Sequence, residues 1–268
     1  MAVFQFTFKR YETKFLITEE QYEKLLKRLD GRMVDDYYAH SLIQNVYYDT
    51  PDFLLIRRSI EKPIYKEKLR VRAYGNTTNE SKVFVEIKKK YERVVYKRRI
   101  LAPLSPVNDF LSGKAPCPED KSTLSDGTPI KGNGQIGREL TYFVSHYQGL
   151  RPAMYISYDR YSLASPTDSV LRITFDTNIT WRLHELDLTK GVYGEKLDLG
   201  GMILMEIKIP DVFPLWLLQI FDDLGITRTS FSKYGAAYKT ALQSGQIDPA
   251  GEAAKLLTGT SQCFLYER

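Results

Sequence analysis

The chain has 268 residues, 43% hydrophobic and 26% charged, which suits one large folded domain or two small ones. Its 38 Lys and Arg against 33 Asp and Glu leave a formal charge of +5, enough to permit a polyanionic partner but too little to demand nucleic acid. Two distant cysteines, Cys117 and Cys263, and three isolated histidines, His40, His146 and His184, exclude a disulfide framework and argue against a zinc site or a Cys/His nucleophile.

In chain order, FKRYETKFLI (8–17) reads as a strand. Thr18 then caps a helix, TEEQYEKLLKRL, with Glu19 and Glu20 in its first turn. QNVYYDT (44–50) is a strand stopped by Pro51, and 52–61 a short helix. KLRVRAYG (68–75), VFVEIKKK (83–90) and RVVYKRRIL (93–101) are three further strands. Residues 102–134 are rich in Pro, Gly, Ser and Asp and read as an irregular insertion with a short helix near Asp109–Leu111. A helix follows at 135–150, then strands at 153–165, 170–183 and 201–210. Helices are expected at 214–225, ending at Gly225, and at 229–243. The tail from Ser244 has little pattern, and no internal repeat appears. Strands in series with helices at the edges predict one α+β domain over 1–268, built on an antiparallel barrel or a strongly curved sheet.

MAVFQFTFKR lacks a secretory apolar core, and no apolar run reaches the ~18 residues a membrane helix needs. A reduced, cytoplasmic setting is expected.

The strands share a second pattern. Arg10, Glu12 and Lys14 alternate with Tyr11, Thr13 and Phe15. Lys68, Arg70 and Arg72 alternate with Leu69, Val71 and Ala73, and Glu86, Lys88 and Lys90 with Val85 and Ile87. Arg172, Thr174 and Asp176 oppose Leu171, Ile173 and Phe175; Glu206 and Lys208 oppose Met205 and Ile207. Side chains alternate across a strand, so each has a charged and an apolar face. An open sheet with its charged face in water satisfies this pattern. A closed sheet satisfies it differently: the cations, rich in Arg, converge on an interior that would repel itself without an anionic ligand. The stretch 88–99, KKKYERVVYKRR, also fits a nucleic-acid patch or a solvated hairpin.

RYETKF, YYDTP, KLRVRAYG, VFVEIKKK, DRYSL, LRITFDT, MEIKIP and SFSKY, in that order over about residues 8–240, resemble the VTC domain. That domain is the catalytic part of vacuolar transporter chaperone polyphosphate polymerases, a branch of the triphosphate tunnel metalloenzymes. The resemblance implies a closed antiparallel β-barrel with a basic lumen and helices packed outside and at its ends. It implies transfer of the ATP γ-phosphoryl group to a growing polyphosphate chain, with Mn²⁺ or Mg²⁺. It matches Lys14, Arg70, Arg72, Lys88, Arg160, Arg172, Lys208 and Lys233 to catalytic tunnel cations. Arg70, Arg72 and Lys88, with Lys97 and Arg99, would grip nucleotide phosphates, although Arg98 could face inward in place of its neighbours. Glu206 matches the metal-binding glutamate, with Glu86 and Glu12 as further candidates. Lys68 is left between the tunnel mouth and solvent.

The hydrolytic tunnel enzymes carry Glu-x-Glu-x-Lys on their first strand, whereas this chain has Arg10, Glu12 and Lys14. The lost carboxylate favours a polymerase or a binding module for polyphosphate or nucleotide over a tripolyphosphate or NTP hydrolase. Neither an SPX domain nor membrane helices are visible in these residues, so a stand-alone, bacterial-type version is expected. It would reach the inner face of a membrane through a separate partner, and no nucleic-acid partner is expected.

Overall fold

Thr18 starts the first helix as its position predicts. Its hydroxyl accepts from the Gln21 amide at 3.1 Å, and the Gln21 side chain accepts from the Thr18 amide at 2.9 Å, satisfying two amides that a helix start leaves open. The computed structural model describes residues 11–92, 94–121, 134–209 and 212–252, so Arg10 and its place in the first-strand pattern lie outside the described residues. The strands are β1 (Tyr11–Ile17), β2 (Val34–Asp49), β3 (Tyr65–Tyr74), β4 (Lys82–Tyr91), β5 (Val94–Pro103), β6 (Arg151–Ala164), β7 (Arg172–Arg182), β8 (Glu195–Lys196), β9 (Ile203–Ile209) and β10 (Arg228–Thr229). The helices are α1 (Glu19–Leu29), α2 (Leu54–Ile60), α3 (Leu104–Leu111), α4 (Gly134–His146), α5 (Leu215–Asp223) and α6 (Lys233–Gln243), with a 3₁₀ turn at Leu188–Lys190. Among the described residues no helix is long and apolar enough to cross a membrane.

All strands pair antiparallel in the order β10-β1-β9-β7-β6-β2-β3-β4-β5, with β8 beside β7. The α+β class is as expected, but the expected closed barrel is not. β10 and β5 end the sheet, and among the described residues no backbone ladder joins them. β10 is two residues long and, among the described residues, is paired only to β1, so it offers β5 little to bond to. The twist of so many strands still curls the sheet on itself. Lys88 of β4 reaches Glu12 of β1 at 2.7 Å, so side chains span the gap that backbone leaves open.

The apolar stripes point outward and are covered. Leu69, Val71, Val85, Ile87 and Ile100 pack with Phe110 of α3 and Leu140 and Phe143 of α4. Phe15, Ile17, Ile173, Phe175 and Ile207 pack with Leu25 of α1 and Leu217 and Phe221 of α5. The third cluster is different. Ile43, Tyr47, Ile156 and Leu204 belong to the same strand faces as the charged residues, and they meet Tyr234, Ala237 and Ala241 of α6. This helix therefore fills part of the concave face.

Several boundaries moved for local reasons. β2 starts ten residues before Gln44, because its first half pairs with β6 even though DDYYAHS has no clean alternation. α2 starts only after Phe53, which is left-handed at φ 57°; the Asp49 carboxylate accepts from the amides of Leu55 and Ile56 at 2.8 and 3.0 Å. α6 begins at Lys233 and not at 229, because 228–229 form β10 and Ser232 supplies the cap. Within 102–134, α3 follows β5 directly, and Asp120 accepts from the Leu101 amide at 2.9 Å. Residues 122–133 lie outside the described residues.

Candidate functional site

The curled sheet gathers ten cations on its concave side: Lys14, Lys68, Arg70, Arg72, Lys88, Lys97, Arg99, Arg160, Lys208 and Lys233. Four carboxylates face them among the described residues: Glu12, Glu86, Asp176 and Glu206. The excess of cations here is larger than the net charge of the whole chain, +5. The cations fall into three groups, each organised around carboxylate.

The first group surrounds Glu86, whose side chain is 1% exposed. Arg70 Nη2 lies 2.7 Å and Arg72 Nε 3.8 Å from Glu86 Oε2, Arg99 Nη1 lies 4.0 Å from Oε1, and Lys97 pairs closely with Oε1. Cross-strand register explains this, since Glu86 sits opposite Arg70 on one side and Arg99 on the other. Burial alone would raise the Glu86 pKa; Lys97, Arg70 and Arg72 outweigh it and hold it well below the carboxylate range. Arg72 also donates to Asn45 Oδ1 at 3.0 Å and to the Tyr158 hydroxyl at 3.2 Å; Arg70 donates to the Tyr47 hydroxyl at 3.1 Å. Each guanidinium plane is thus fixed from two sides before any ligand arrives. Burial, with Arg72 and Arg99 nearby, brings Lys97 down to about 7 despite Glu86.

Asp176 organises the second group. Arg160 grips it through two bonds, Nε to Oδ1 at 2.6 Å and Nη2 to Oδ2 at 2.8 Å, and Lys233 donates to Oδ2 from the first turn of α6. Burial opposes ionisation, but Lys233 and Arg160 bring Asp176 down to about 2. Lys233 also lies 4.1 Å from the Tyr158 ring centroid, which links this group to Arg72.

The third group holds Glu12 and Glu206, on the adjacent strands β1 and β9. Lys88 donates to Glu12 at 2.7 Å, Lys208 lies 2.6 Å from Glu206 Oε1, and Lys14 lies 3.9 Å from Oε2. Despite burial and the repulsion of Glu206, Lys88 and Lys208 hold Glu12 at about 2. Lys14 donates to the Phe231 carbonyl at 2.9 Å, and burial, with Lys233 and Lys88 nearby, brings it to about 8. Lys68, left undecided by its position, is in the lumen: it donates to Ser232 Oγ at 3.0 Å, and burial, Lys14 and Lys88 push it down to about 7.

Two candidates sit apart from the places expected of them, and the register of β5 settles a third question. Arg172 is 45% exposed at the rim and pairs with Asp36 at 3.2 Å, apart from the three groups. Glu86 does not join Glu12 and Glu206 in one metal set, because it is the counter-ion of the Arg70–Arg99 cage; among the described residues no three metal-ligating side chains converge. The register of β5 faces Lys97 and Arg99 inward, whereas Arg98 lies 3.9 Å from Glu139 of α4 outside. Tyr158, Tyr47 and Asn45 are site residues outside the pattern of charges, and Asp176, which that pattern puts on the charged face of its strand, had no role assigned to it. For Asp176 a signal existed: a lone Asp in register with Arg160 across two antiparallel strands. A separate cavity of about 250 Å³, lined by Arg58, Lys66, Glu67, Tyr142 and His146, lies between α2, the start of β3 and α4 and shares none of the three groups.

The sequence profile of the VTC domain matches residues 9–242, which contain all of these groups. The chain belongs to the VTC domain family. It is 29% identical over 240 residues to the vacuolar transporter chaperone complex subunit 4 of Schizosaccharomyces pombe, covering 84% of this chain and 32% of that protein. This VTC-family chain thus spans about a third of that relative's length. Among solved structures it is similar to a proposed adenylate cyclase from Bacillus halodurans, with 14% identity, a TM-score of 0.50, and coverage of 85% of this chain and 96% of the other. A proposed adenylyl cyclase from Hippeastrum, described with a dominant triphosphatase activity, matches with 14% identity and a TM-score of 0.45 over 90% of this chain and 98% of that one. The first of these likenesses concerns the fold alone.

The family implies a divalent cation. The donors suit a hard ion in part: Glu12 and Glu206 are neighbouring carboxylates, held ionised, and phosphate oxygens would have to complete the shell.

Proposed function

We propose that the concave face binds the triphosphate of ATP together with a polyphosphate chain, and transfers the γ-phosphoryl group to the chain's terminal oxygen. The γ-phosphorus leaves the ATP β–γ bridging oxygen, which departs with ADP, and bonds to the terminal oxygen, so the polymer grows by one unit. The observation that carries this reading is a concave face with ten cations and four carboxylates in a chain of the VTC family.

Phosphoryl transfer needs placement and charge neutralisation more than covalent chemistry. Arg70 and Arg72 present planar forks whose orientation Tyr47, Asn45 and Tyr158 already hold. Arg160 and Lys233 approach from the Asp176 side, and Lys14, Lys88 and Lys208 from β1, β4 and β9. Glu206 with Glu12 would hold the divalent cation, which when bound supplies Lewis-acid neutralisation of phosphate oxygens.

The carboxylates also favour transfer over hydrolysis. A general base works best with a pKa near the working pH. Glu12 and Asp176 lie at about 2, and Glu86 and Glu206 are held well below their usual range, so all four are poor bases toward water. A polyphosphate end is already anionic and needs no base. The pairing of Glu12 with Glu206 favours the alternative, a metal-dependent tripolyphosphate or NTP hydrolase. Incubation with ATP and Mn²⁺ separates the two: the first reading gives polymer and ADP, the second free phosphate without polymer.

A further inference from the structure

The row of lysines does not stop at the inner groups. In the β3–β4 register Lys68 stands opposite Lys88, and two residues farther along the same face Lys66 stands opposite Lys90. Like charges directly opposite on a sheet are unfavourable, and here two such pairs follow one another. The inner pair is partly compensated, because Lys88 holds Glu12 at 2.7 Å. The outer pair is not: among the described residues neither Lys66 nor Lys90 pairs with a carboxylate. Lys66 is half-buried, and its ammonium donates to the Ser59 carbonyl at the end of α2 at 3.0 Å. Burial lowers its pKa, and the next influences are Lys90 and Lys62, both cations. Lys62 follows α2, exposed, with a left-handed backbone at φ 57°. Glu61 and Glu92 flank these lysines in sequence but form no ion pair with them, and Glu67, on the other face of β3, is engaged by the hydroxyls of Tyr65 and Tyr147 at 2.7 and 2.6 Å.

We propose that Lys66, Lys90 and Lys62 form an outer subsite for a linear polyphosphate, gripping the part of the chain that extends beyond the inner cations. The inference rests on the concave face being a phosphate site. It adds that the face discriminates by ligand length. A tripolyphosphate fits among the inner groups and leaves the outer lysines untouched. A chain of tens of phosphates runs on across the outer pair and relieves its repulsion. The half-burial of Lys66 and its fixed bond to Ser59 make it a positioned contact, whereas exposed Lys62 adds charge.

The test is calorimetric titration of the wild type and of the double variant Lys66→Ala/Lys90→Ala with two probes, tripolyphosphate and a long-chain polyphosphate, at low and moderate salt. Two lost ammonium–phosphate contacts should weaken long-chain binding about tenfold. The loss should shrink as salt rises, and tripolyphosphate binding should stay within about twofold of the wild type. Circular dichroism with a thermal melt confirms that the variant is folded, and Lys66→Arg/Lys90→Arg should restore long-chain binding. Unchanged affinity for the long chain in the Ala variant would overturn the subsite. Equal loss for both probes would also overturn it, by making these lysines part of the inner site. If the wild type binds neither probe, the reading of the whole concave face fails, an outcome distinct from both.

Discussion

Glu86→Gln is the sharpest perturbation of the site, because it removes one charge and almost no volume. The wild-type carboxylate is 1% exposed and sits within 4.0 Å of Arg70, Arg72 and Arg99, with Lys97 closer still. Removing one partner of a buried pair leaves the other uncompensated, at about 3–5 kcal/mol. Here the loss should fall at the lower end at high pH. Lys97 already lies at about 7 with Glu86 present, and without it Lys97 sheds its proton more readily and spares the cage one cation. A loss of about 3 kcal/mol in a domain of this size lowers Tm by roughly 6–12 °C. The informative part is the response to ligand. A polyanion supplies the charge that the variant lacks, so tripolyphosphate should raise the variant's Tm by more than the wild type's and close much of the gap. Differential scanning fluorimetry at pH 8 and pH 6, with and without ligand, reads all of this. A variant as stable as the wild type, or one with an equal ligand-induced shift, would refute the idea that Glu86 stands where anionic charge is needed.

Other outcomes follow from the same geometry. Lys68 and Lys97 are depressed to about 7 and Lys14 to about 8 by burial and neighbouring cations, so the folded empty protein binds fewer protons than the unfolded chain above these values. Its stability should therefore rise with pH from about 7 toward the ordinary lysine range, and denaturant melts between pH 7 and 9 check the sign. Long-chain polyphosphate raises the same three pKa values, so binding at pH 8 should take up protons and weaken toward pH 9; calorimetry in buffers of different ionisation enthalpy should show it, and heats independent of buffer would count against it. Arg72→Lys keeps the charge but loses the fork held by Asn45 and Tyr158, and should lower turnover by about 10²-fold in steady-state assays. Asp176→Asn frees Arg160 and Lys233 from their shared anchor and should raise KM for ATP more than it lowers kcat, since the cations remain but lose their aim. Glu206→Gln should shift the Mn²⁺ dependence of turnover to higher concentration and leave metal-free tripolyphosphate binding equal or tighter.

The strand faces were legible because a period of two is a local signal. Leu69, Val71 and Ala73 sort from Arg70 and Arg72 with no knowledge of neighbours, and all three of the former are buried under the outer helices. What the charges face depends on curl and register, which are not local. Whether Lys97 or Arg98 points inward is fixed by the pairing of Glu86 with Arg99, and no feature of VVYKRR reveals it. Asp176 looked like one more polar residue until register put it beside Arg160 and the cap of α6 put Lys233 above it. Arg172 shares its strand face with Asp176, yet the rim of the sheet places it near Asp36. Closure is not legible either: alternation fits an open and a closed sheet alike, and side chains such as Lys88 and Glu12 span the seam that backbone hydrogen bonds leave open among the described residues. Glu86 is equally ambiguous in the sequence, since a carboxylate among cations reads as a metal ligand or a counter-ion; its partners Arg70, Arg72, Lys97 and Arg99 are set by register.

The central claim is that the concave face moves phosphoryl groups from ATP onto polyphosphate. It is tested most directly by incubating the purified protein with ATP and Mn²⁺, resolving the products on a gel, and quantifying ADP and free phosphate together. The account predicts a polymer ladder, ADP matching the phosphate incorporated, and little free phosphate, all lost in Arg70→Ala. Free phosphate equal to ADP with no polymer, or no turnover of ATP, would contradict it.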